Sequence, residues 1–459
     1  MNDNFNDPIV ALATGTGNSG IGIIRLSGKD EIIQEIAKLV LPKFKPENRK
    51  AQLLSFVDQN QEQVDKVITL YFKAPNSYTG ETVLEVQSHG GQVLLTWILE
   101  ILLEVGKKYS LRLAEPGEFT ERAFLNGKMD LVQAEAVADL IDASSRNAVR
   151  AASLSLKGEF SKYVHEVSEL LVRLRIEVEA ILDFPEEEID FITEYNCKER
   201  LEEIIRDIKQ TLEIAQQGET LRDGFKVALA GQTNAGKSSI LNRLAGDEIA
   251  IVSDVAGTTR DKIQTLIHMN GIPFHITDTA GIRETSDKVE KIGIERAKNE
   301  ISKSDIVVRV LDGGDPEKSK NDEKILSLVK QLTHEDIPIL TVLNKSDLLS
   351  EDSVSRETEI KTSALTGEGI NDLRNALLKA AGWKPKESVF IARKRHLDSL
   401  NAALAHLELA QELISYNDMK LELFAEELRL ANDDLGSIVG KTTSDDLLGL
   451  IFKGFCIGK

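Results

Sequence analysis

Residues 231–238 constrain this chain more than any other segment. They read Gly-Gln-Thr-Asn-Ala-Gly-Lys-Ser and fit the spacing Gly231-x-x-x-x-Gly236-Lys237-Ser238. Such a loop works only between a buried strand and the start of a helix. Both flanks are present: Lys226-Val-Ala-Leu-Ala230 is a short apolar run, and Ser239-Ile-Leu-Asn-Arg-Leu-Ala continues at helical spacing. Glycines let backbone N–H groups turn inward around phosphates, and the helix N-terminus adds a favourable dipole. Asn234, Ala235, Gly236, Lys237, Ser238 and Ser239 therefore form the expected phosphate cradle. Lys237 should reach the β- and γ-phosphates, and Ser238 should ligate Mg²⁺. This loop alone leaves adenosine and guanosine equally open.

The remaining parts of a Ras-like G domain follow in order. Gly257-Thr258-Thr259-Arg260-Asp261 lies where a first switch belongs, and Thr259 is the expected Mg²⁺ ligand when a γ-phosphate is present. Asp278-Thr279-Ala280-Gly281 ends the apolar run that begins at Pro273. There Asp278 faces the metal, and Gly281 lets the backbone approach the γ-phosphate. Asn344-Lys345-x-Asp347 reads the base. Its carboxylate accepts from the ring N–H and the exocyclic amine of guanine. Adenine offers a lone pair there instead, which costs roughly 1–3 kcal/mol. Ser363-Ala364-Leu365 supplies the last loop, with the Ala364 N–H directed at the guanine carbonyl. The motifs predict GTP binding and hydrolysis. Ras-like GTPases orient water with a glutamine after the second-switch glycine, but this chain has Ile282. The water-positioning group must lie elsewhere or come in trans.

Two resemblances address that gap. Asn234 and the segment Ser253, Asp254, Val255, Ala256, Gly257 and Thr258 resemble those of potassium-activated GTPases. The resemblance implies K⁺ ligation by Asn234, Ser253, Val255 and Thr258, with K⁺ offsetting transition-state charge once two G domains meet. More widely, residues 224–295, Gly20-Ile-Gly-Ile-Ile-Arg25-Leu-Ser-Gly28, Ser77-Tyr-Thr-Gly80 and Phe455-Cys-Ile-Gly-Lys459 resemble the MnmE (TrmE) family of tRNA-modification GTPases, across essentially the whole chain. The resemblance implies Glu290 as the residue positioning water. Thr233 departs from the proline common in the family, which loosens the loop without removing a ligand.

Length and composition agree. With 459 residues, the chain has room for about three domains. Its two cysteines, Cys197 and Cys456, are too few and too distant for a zinc site or disulfide framework. No secretory signal is read at the N-terminus, and Trp97-Ile-Leu-Glu-Ile-Leu-Leu103 is too short and charged to span a membrane. A cytoplasmic protein without membrane contact is expected. The net charge of −19 disfavours a chain that grips tRNA alone, because phosphate contacts dominate nucleic-acid affinity. Either a local basic patch or a partner must hold the RNA.

The expected fold class is α+β and multidomain. Residues 1–120 form a mixed α/β domain, with strands at Ile9–Ala13, Ile21–Leu26, Leu53–Val57, Val67–Phe72 and Val83–Val86 and one helix from Gln92 to Val105. Residues 121–219 are helical, with Leu131, Ala134, Val137, Ala138 and Ile141, then Val167, Leu171, Leu174 and Val178 at helical spacing. The G domain occupies 220–380. Residues 381–459 are helical again, with a stripe of Leu400, Leu404, Leu407 and Leu413 and a Cys-Ile-Gly-Lys tail. This order places the G domain as an insertion in a discontinuous helical domain.

No catalytic motif marks the N-terminal domain by residue type alone. Gly15-Thr-Gly-Asn-Ser-Gly20 lacks the lysine and helix of a phosphate loop, and His89 beside Gly90 and Gly91 reads as a turn. The family resemblance implies a dimerising domain that binds tetrahydrofolate through Arg25, Glu85, Lys128 and the tail residue Lys459. Carboxylates suit pterin N–H donors, and cations suit a glutamyl tail or carbonyl. Cys456 has two readings: a small core residue beside Phe452, Phe455 and Ile457, or a thiol nucleophile brought to a one-carbon folate or uridine. Docking of the tail in the folate pocket is preferred.

The family thus implies a homodimeric, K⁺-dependent GTP hydrolase. With an FAD-dependent partner of MnmG (GidA) type, in a heterotetramer, it would place a carboxymethylaminomethyl or aminomethyl group on carbon 5 of the wobble uridine of certain tRNAs. Methylene-tetrahydrofolate would supply the carbon, with FAD and NADH acting through the partner. Two other classes stay open: a ribosome-associated switch GTPase without modification chemistry, and a scaffold held together by GTP.

Overall fold

The computed structural model describes residues 6–15, 17, 19–183, 196–246, 264–278, 295, 298–314, 318–333, 337–349, 359–382, 389–414, 420–441, 445–455 and 458. The chain divides into two compact units. One comprises Met1–Ile141, Ser155–Lys209 and Asp398–Lys459; the other comprises Asp142–Leu154 and Gln210–Leu397.

In the first unit, β1 (Ile9–Leu12), β2 (Ser19–Gly28), β3 (Gln52–Val57), β4 (Gln63–Phe72), β5 (Thr82–Gly90) and β6 (Arg112–Leu113) form one sheet in the order β3-β4-β5-β2-β1-β6. All neighbours are antiparallel except β1 and β6. Side chains alternate between the two faces. Ile24, Leu26, Leu84 and Val86 lie in a core with Ile33, Ile36, Ile98 and Leu102, which come from two helices, Asp30–Val40 and Gln92–Gly106. Arg25 and Glu85 are direct cross-strand neighbours and take the alternate positions. The helix at Asp30–Val40 corrects the sequence expectation, which placed a single helix in this region. Its buried residues Ile33, Ile36, Ala37 and Val40 follow the helical period, and acidic Asp30 and Glu31 favour its N-terminus.

A buried ionic knot fastens the start of the helix Glu118–Leu125. The Arg122 guanidinium, fully buried, pairs with Glu118 at 2.7 Å and Glu81 at 3.0 Å and donates to the Asp7 carbonyl at 2.8 Å. Burial alone would raise the Glu118 carboxyl. Hydrogen bonds from Arg112, the Glu115 N–H and Arg122 outweigh it and hold that carboxyl below its ordinary range.

The helices Glu159–Asp183 and Leu421–Val439 pack along one another, burying Leu171, Leu174 and Val178 against a partner face of Leu428, Ala431 and Leu435. Ser168 donates to Asn432 across them at 2.5 Å. Helical segments that lie before and after the G domain in sequence therefore share one body. Two stripes differ from expectation. In Leu131–Asp142 the buried residues include Leu131, Ala134, Glu135 and Asp139, while Ile141 is exposed. In Lys394–Ile414 the buried line is Leu400, Ala403, Leu407, Ala410 and Ile414, with Leu404 and Leu413 at its margins. Reading leucines alone misplaced the stripe because alanines fill close helix contacts.

The second unit holds β7 (Phe225–Gly231), β8 (Gln264–Met269), β9 (Ile272–Asp278), β10 (Ile306–Asp312), β11 (Ile339–Asn344) and β12 (Glu359–Lys361). Their order is β12-β11-β10-β7-β9-β8, parallel throughout except for β8. Helices Lys237–Gly246, Lys318–Leu332 and Ile370–Ala380 follow strands in the α/β manner. The carboxyl ends of β7, β9, β10 and β11 carry Gly231, Asp278, Asp312 and Asn344, the edge at which such sheets bind ligands. The helix Cys197–Asp223 runs past the expected boundary at 219 and stops at Gly224, whose φ is +65°. Ser145 and Asn147, ahead of and inside the helix Arg146–Leu156, donate to the Gly271 and Asn270 carbonyls at 2.7 and 3.0 Å, tying that helix to the β8–β9 turn. Among the described residues, no helix is long and apolar enough to cross a membrane.

Candidate functional site

The phosphate loop begins where β7 ends. Ala228, Leu229 and Ala230 are buried, so the strand is anchored in the core and the loop emerges at its carboxyl end. Asn234 is exposed and left-handed at φ +67°, and Gly236 is left-handed at φ +91°. A Cβ at Gly236 would lie 2.1 Å from Asn344 Nδ2, so only glycine lets the loop close on that neighbour. Lys237 opens the following helix and is 7% exposed. Its Nζ donates to the Gly231 and Gln232 carbonyls at 3.0 and 2.9 Å, which turns the ammonium back over the loop.

The metal side lies next to it. Ser238 Oγ donates to Asp278 Oδ2 at 2.5 Å, joining the helix start to the end of β9. Asp278 Oδ1 is buried and without a hydrogen-bond partner among the described residues. A hydroxyl and a carboxylate with an unused oxygen form a hard-oxygen set suited to Mg²⁺. Ser239 is exposed one residue further along the helix.

The base side is built on Asn344, which is 1% exposed. Its Nδ2 donates to the Ala235 carbonyl at 2.9 Å, and its Oδ1 accepts from the Ala364 N–H at 3.1 Å. One side chain therefore joins the phosphate loop to the last loop. Ser363 Oγ donates to Asp347 Oδ1 at 2.5 Å, which orients that carboxylate. Lys345 is left-handed at φ +64°, and its Nζ pairs with Asp312 Oδ2 at 2.7 Å. The structure thus brings together Asn234, Ala235, Gly236, Lys237, Ser238, Ser239, Asp278, Asn344, Lys345, Asp347, Ser363 and Ala364 at one sheet edge. The candidates Ser253, Asp254, Val255, Ala256, Gly257, Thr258, Thr259, Thr279, Ala280, Gly281 and Glu290 lie outside the described residues.

A second polar site occupies the sheet of the first unit. Arg25 pairs with Glu85 at 2.9 Å and donates from Nη1 to the Gly458 carbonyl at 3.3 Å. Its guanidinium lies 5.7 Å from the Tyr78 ring centroid and 5.8 Å from that of Phe119. Burial pushes the Tyr78 hydroxyl up in pKa, so it stays protonated and shares a 2.8 Å hydrogen bond with Thr120. Gly458 is left-handed at φ +94°, and a Cβ there would lie 2.3 Å from the Leu12 carbonyl oxygen. Close backbone approach therefore seats the tail. Lys128 Nζ donates to the Pro75 carbonyl at 3.0 Å, and its stem passes Gly80. Cys456 and Lys459 lie outside the described residues. Cys197 is buried, and desolvation pushes its thiol up to about 12, so it is no nucleophile.

Sequence reading did not single out Tyr78, Phe119 or Asp312. Tyr78 sits in a quoted segment, but a lone aromatic gives no cue to which cation it will face. Phe119 and Asp312 carry no local signal, because their partners are remote in sequence.

Comparison with known proteins adds the lineage. The family described as GTP-binding protein TrmE N-terminus matches residues 8–128, and that described as MnmE helical domain matches residues 131–456. The tRNA modification GTPase MnmE of Bordetella petrii is 51% identical over 454 residues, covering 98% of this chain and 98% of that protein. Its counterpart in Bordetella avium is 50% identical over 453 residues, covering 98% and 99%. That of Burkholderia thailandensis is 49% identical over 469 residues, covering 99% of each.

Proposed function

This chain belongs to the MnmE family of tRNA modification GTPases, and from that premise we propose a K⁺-dependent GTP hydrolysis cycle coupled to folate-dependent chemistry at the wobble uridine. GTP binds at the sheet edge of the G domain. The reading rests chiefly on one observation: Asn344 of the base-reading run joins the phosphate loop at Ala235 to the last loop at Ala364 through two hydrogen bonds. That bridge makes recognition of guanine and of phosphates a single event.

Mg²⁺ fits Ser238 and Asp278, with Thr259 completing its shell when a γ-phosphate is present. The ion neutralises charge on the transferring phosphoryl group. Exposed, left-handed Asn234 is free to offer its side-chain oxygen to K⁺, together with Ser253, Val255 and Thr258. Glu290 orients the attacking water and takes the place that Ile282 cannot fill. Turnover measured in KCl and in NaCl tests both assignments together. The wild type should run at least about tenfold faster in KCl, and Glu290→Ala should keep GTP affinity while losing about a hundredfold in turnover. Equal rates in the two salts, or an active Glu290→Ala enzyme, would remove the corresponding residue from the mechanism.

The polar site around Arg25 takes a tetrahydrofolate, 5,10-methylene in the reaction. Glu85 accepts from pterin N–H groups, while Arg25, Lys128 and Lys459 meet carbonyl or carboxylate oxygens. Support comes from Arg25, Glu85 and the tail carbonyl of Gly458 converging on one sheet face, with aromatic rings beside the cation. Equilibrium dialysis with tetrahydrofolate should show saturable binding that Arg25→Ala weakens about a hundredfold. Unchanged binding would move the site.

The full reading is a homodimer acting with an FAD- and NADH-using partner of MnmG type, in a heterotetramer that modifies carbon 5 of the wobble uridine in certain tRNAs. The overall charge of −19 fits a division of labour in which the partner holds most of the RNA. Mass spectrometry of tRNA nucleosides from a strain lacking this chain tests it. The 5-aminomethyl-type uridines should disappear and return with the intact gene, but not with one truncated before Cys456. An unchanged nucleoside profile would favour the ribosome-associated switch reading.

A further inference from the structure

We infer that Asp312 is a positioning residue for guanine recognition, holding the Asn344–Asp347 loop in its base-reading shape through Lys345. The inference rests on the assignment of that loop as the base site. Asp312 ends β10, directly beside Asn344 at the end of β11 in the parallel register. Its side chain is 5% exposed, yet it carries a full carboxylate. Such a group is retained in a protein only when its oxygens are held. Oδ1 accepts from the Gly314 N–H at 3.1 Å, and Oδ2 accepts from Lys345 Nζ at 2.7 Å.

That second contact reaches the base reader. Lys345 has φ +64° and ψ +40°, a left-handed backbone that a side chain with a Cβ adopts only under constraint. The same residue starts the short turn Ser346–Leu348, in which the Leu348 N–H donates to the Lys345 carbonyl at 3.0 Å. Asp347 sits inside that turn. The Gly313 N–H donates to the Asn344 carbonyl at 2.7 Å and fixes the other end. Asp312 thus pins the one unfavourable backbone conformation on which the direction of the Asp347 carboxylate depends. The Gly314, Lys345 and Leu348 contacts gather around Asp347, so the effect is expected chiefly at the base.

Isothermal titration of the full-length protein with GDP, GTP and inosine diphosphate tests this. Inosine diphosphate lacks the exocyclic amine that Asp347 accepts from. Asp312→Asn keeps the volume and removes the charge. It should weaken GDP and GTP by the same factor, about tenfold, and narrow the preference for GDP over inosine diphosphate. Asp312→Glu, which restores the carboxylate, should recover part of both. Lys345→Met should weaken GDP similarly, and adding Asp312→Asn to it should cost almost nothing more, since both act through one contact. Wild-type affinity in Asp312→Asn, or additive losses in the double variant, would overturn the inference. A uniform loss with unchanged base preference, or a loss that Asp312→Glu does not relieve, would reduce Asp312 to a structural residue. Failure of the wild-type protein to bind GDP would instead overturn the site assignment beneath it.

Discussion

Lys237→Ala should lower GTP affinity about a thousandfold and abolish measurable turnover. Lys237 is 7% exposed, and its ammonium donates to the Gly231 and Gln232 carbonyls of its own loop. A triphosphate replaces those neutral acceptors with charged oxygens in a largely desolvated site. Charge-assisted hydrogen bonds contribute about 1.5–3 kcal/mol each. Losing two of them gives roughly 4 kcal/mol, or about three decades in affinity. Alanine keeps the helix start, because Ser238 and the loop glycines are untouched. Titration with a fluorescent GTP analogue reads the effect directly. An affinity within tenfold of the wild type would mean that the backbone cradle alone carries binding, without Lys237.

Asp347→Asn should reverse base preference. In the proposed site the carboxylate accepts from two guanine donors, and Ser363 holds its Oδ1 at 2.5 Å. An asparagine presents one N–H in place of one acceptor. Against guanine, that N–H faces another donor, and the lost pairing should cost about a hundred- to a thousandfold. Xanthine carries a carbonyl where guanine carries the amine, so the new N–H finds an acceptor there. Affinities for GDP and xanthosine diphosphate, measured side by side on wild type and variant, check this. A variant that still prefers guanine would show that Asn344 and Ala364 read the base without Asp347.

The two sites differ in how much of them the sequence made readable. The phosphate loop spans eight consecutive positions, and its chemistry follows from residue type at fixed offsets, so the structure put Gly236 and Lys237 where the spacing requires. The base-reading motif is likewise a short local run, Asn344–Asp347, which begins at the end of β11. The face that carries Arg25 and Glu85 is different. Arg25 and Glu85 sit on strands whose pairing decides that they meet, and nothing local marks either residue. The helix Asp30–Val40 carries a clear helical period between strands. Long leucine-rich helices were found, but their buried faces were displaced where alanine, rather than leucine, makes the contact.

The division has a physical cause. Sequence by itself determined what short-range geometry controls: a glycine-rich turn, the helix that follows it, the strand periods, the acceptor pattern that selects guanine, and the family to which such a combination belongs. Tertiary structure alone decided what depends on chain crossovers. It placed Asn344 on the Ala235 carbonyl across 109 residues and Arg25 on the Gly458 carbonyl across 433. It set Asp312 beside Lys345 through a parallel strand pair, and it packed helices from both sides of the G domain into one body. Hydrophobic burial drives those associations without regard to separation along the chain, so no local pattern records which partners they bring together.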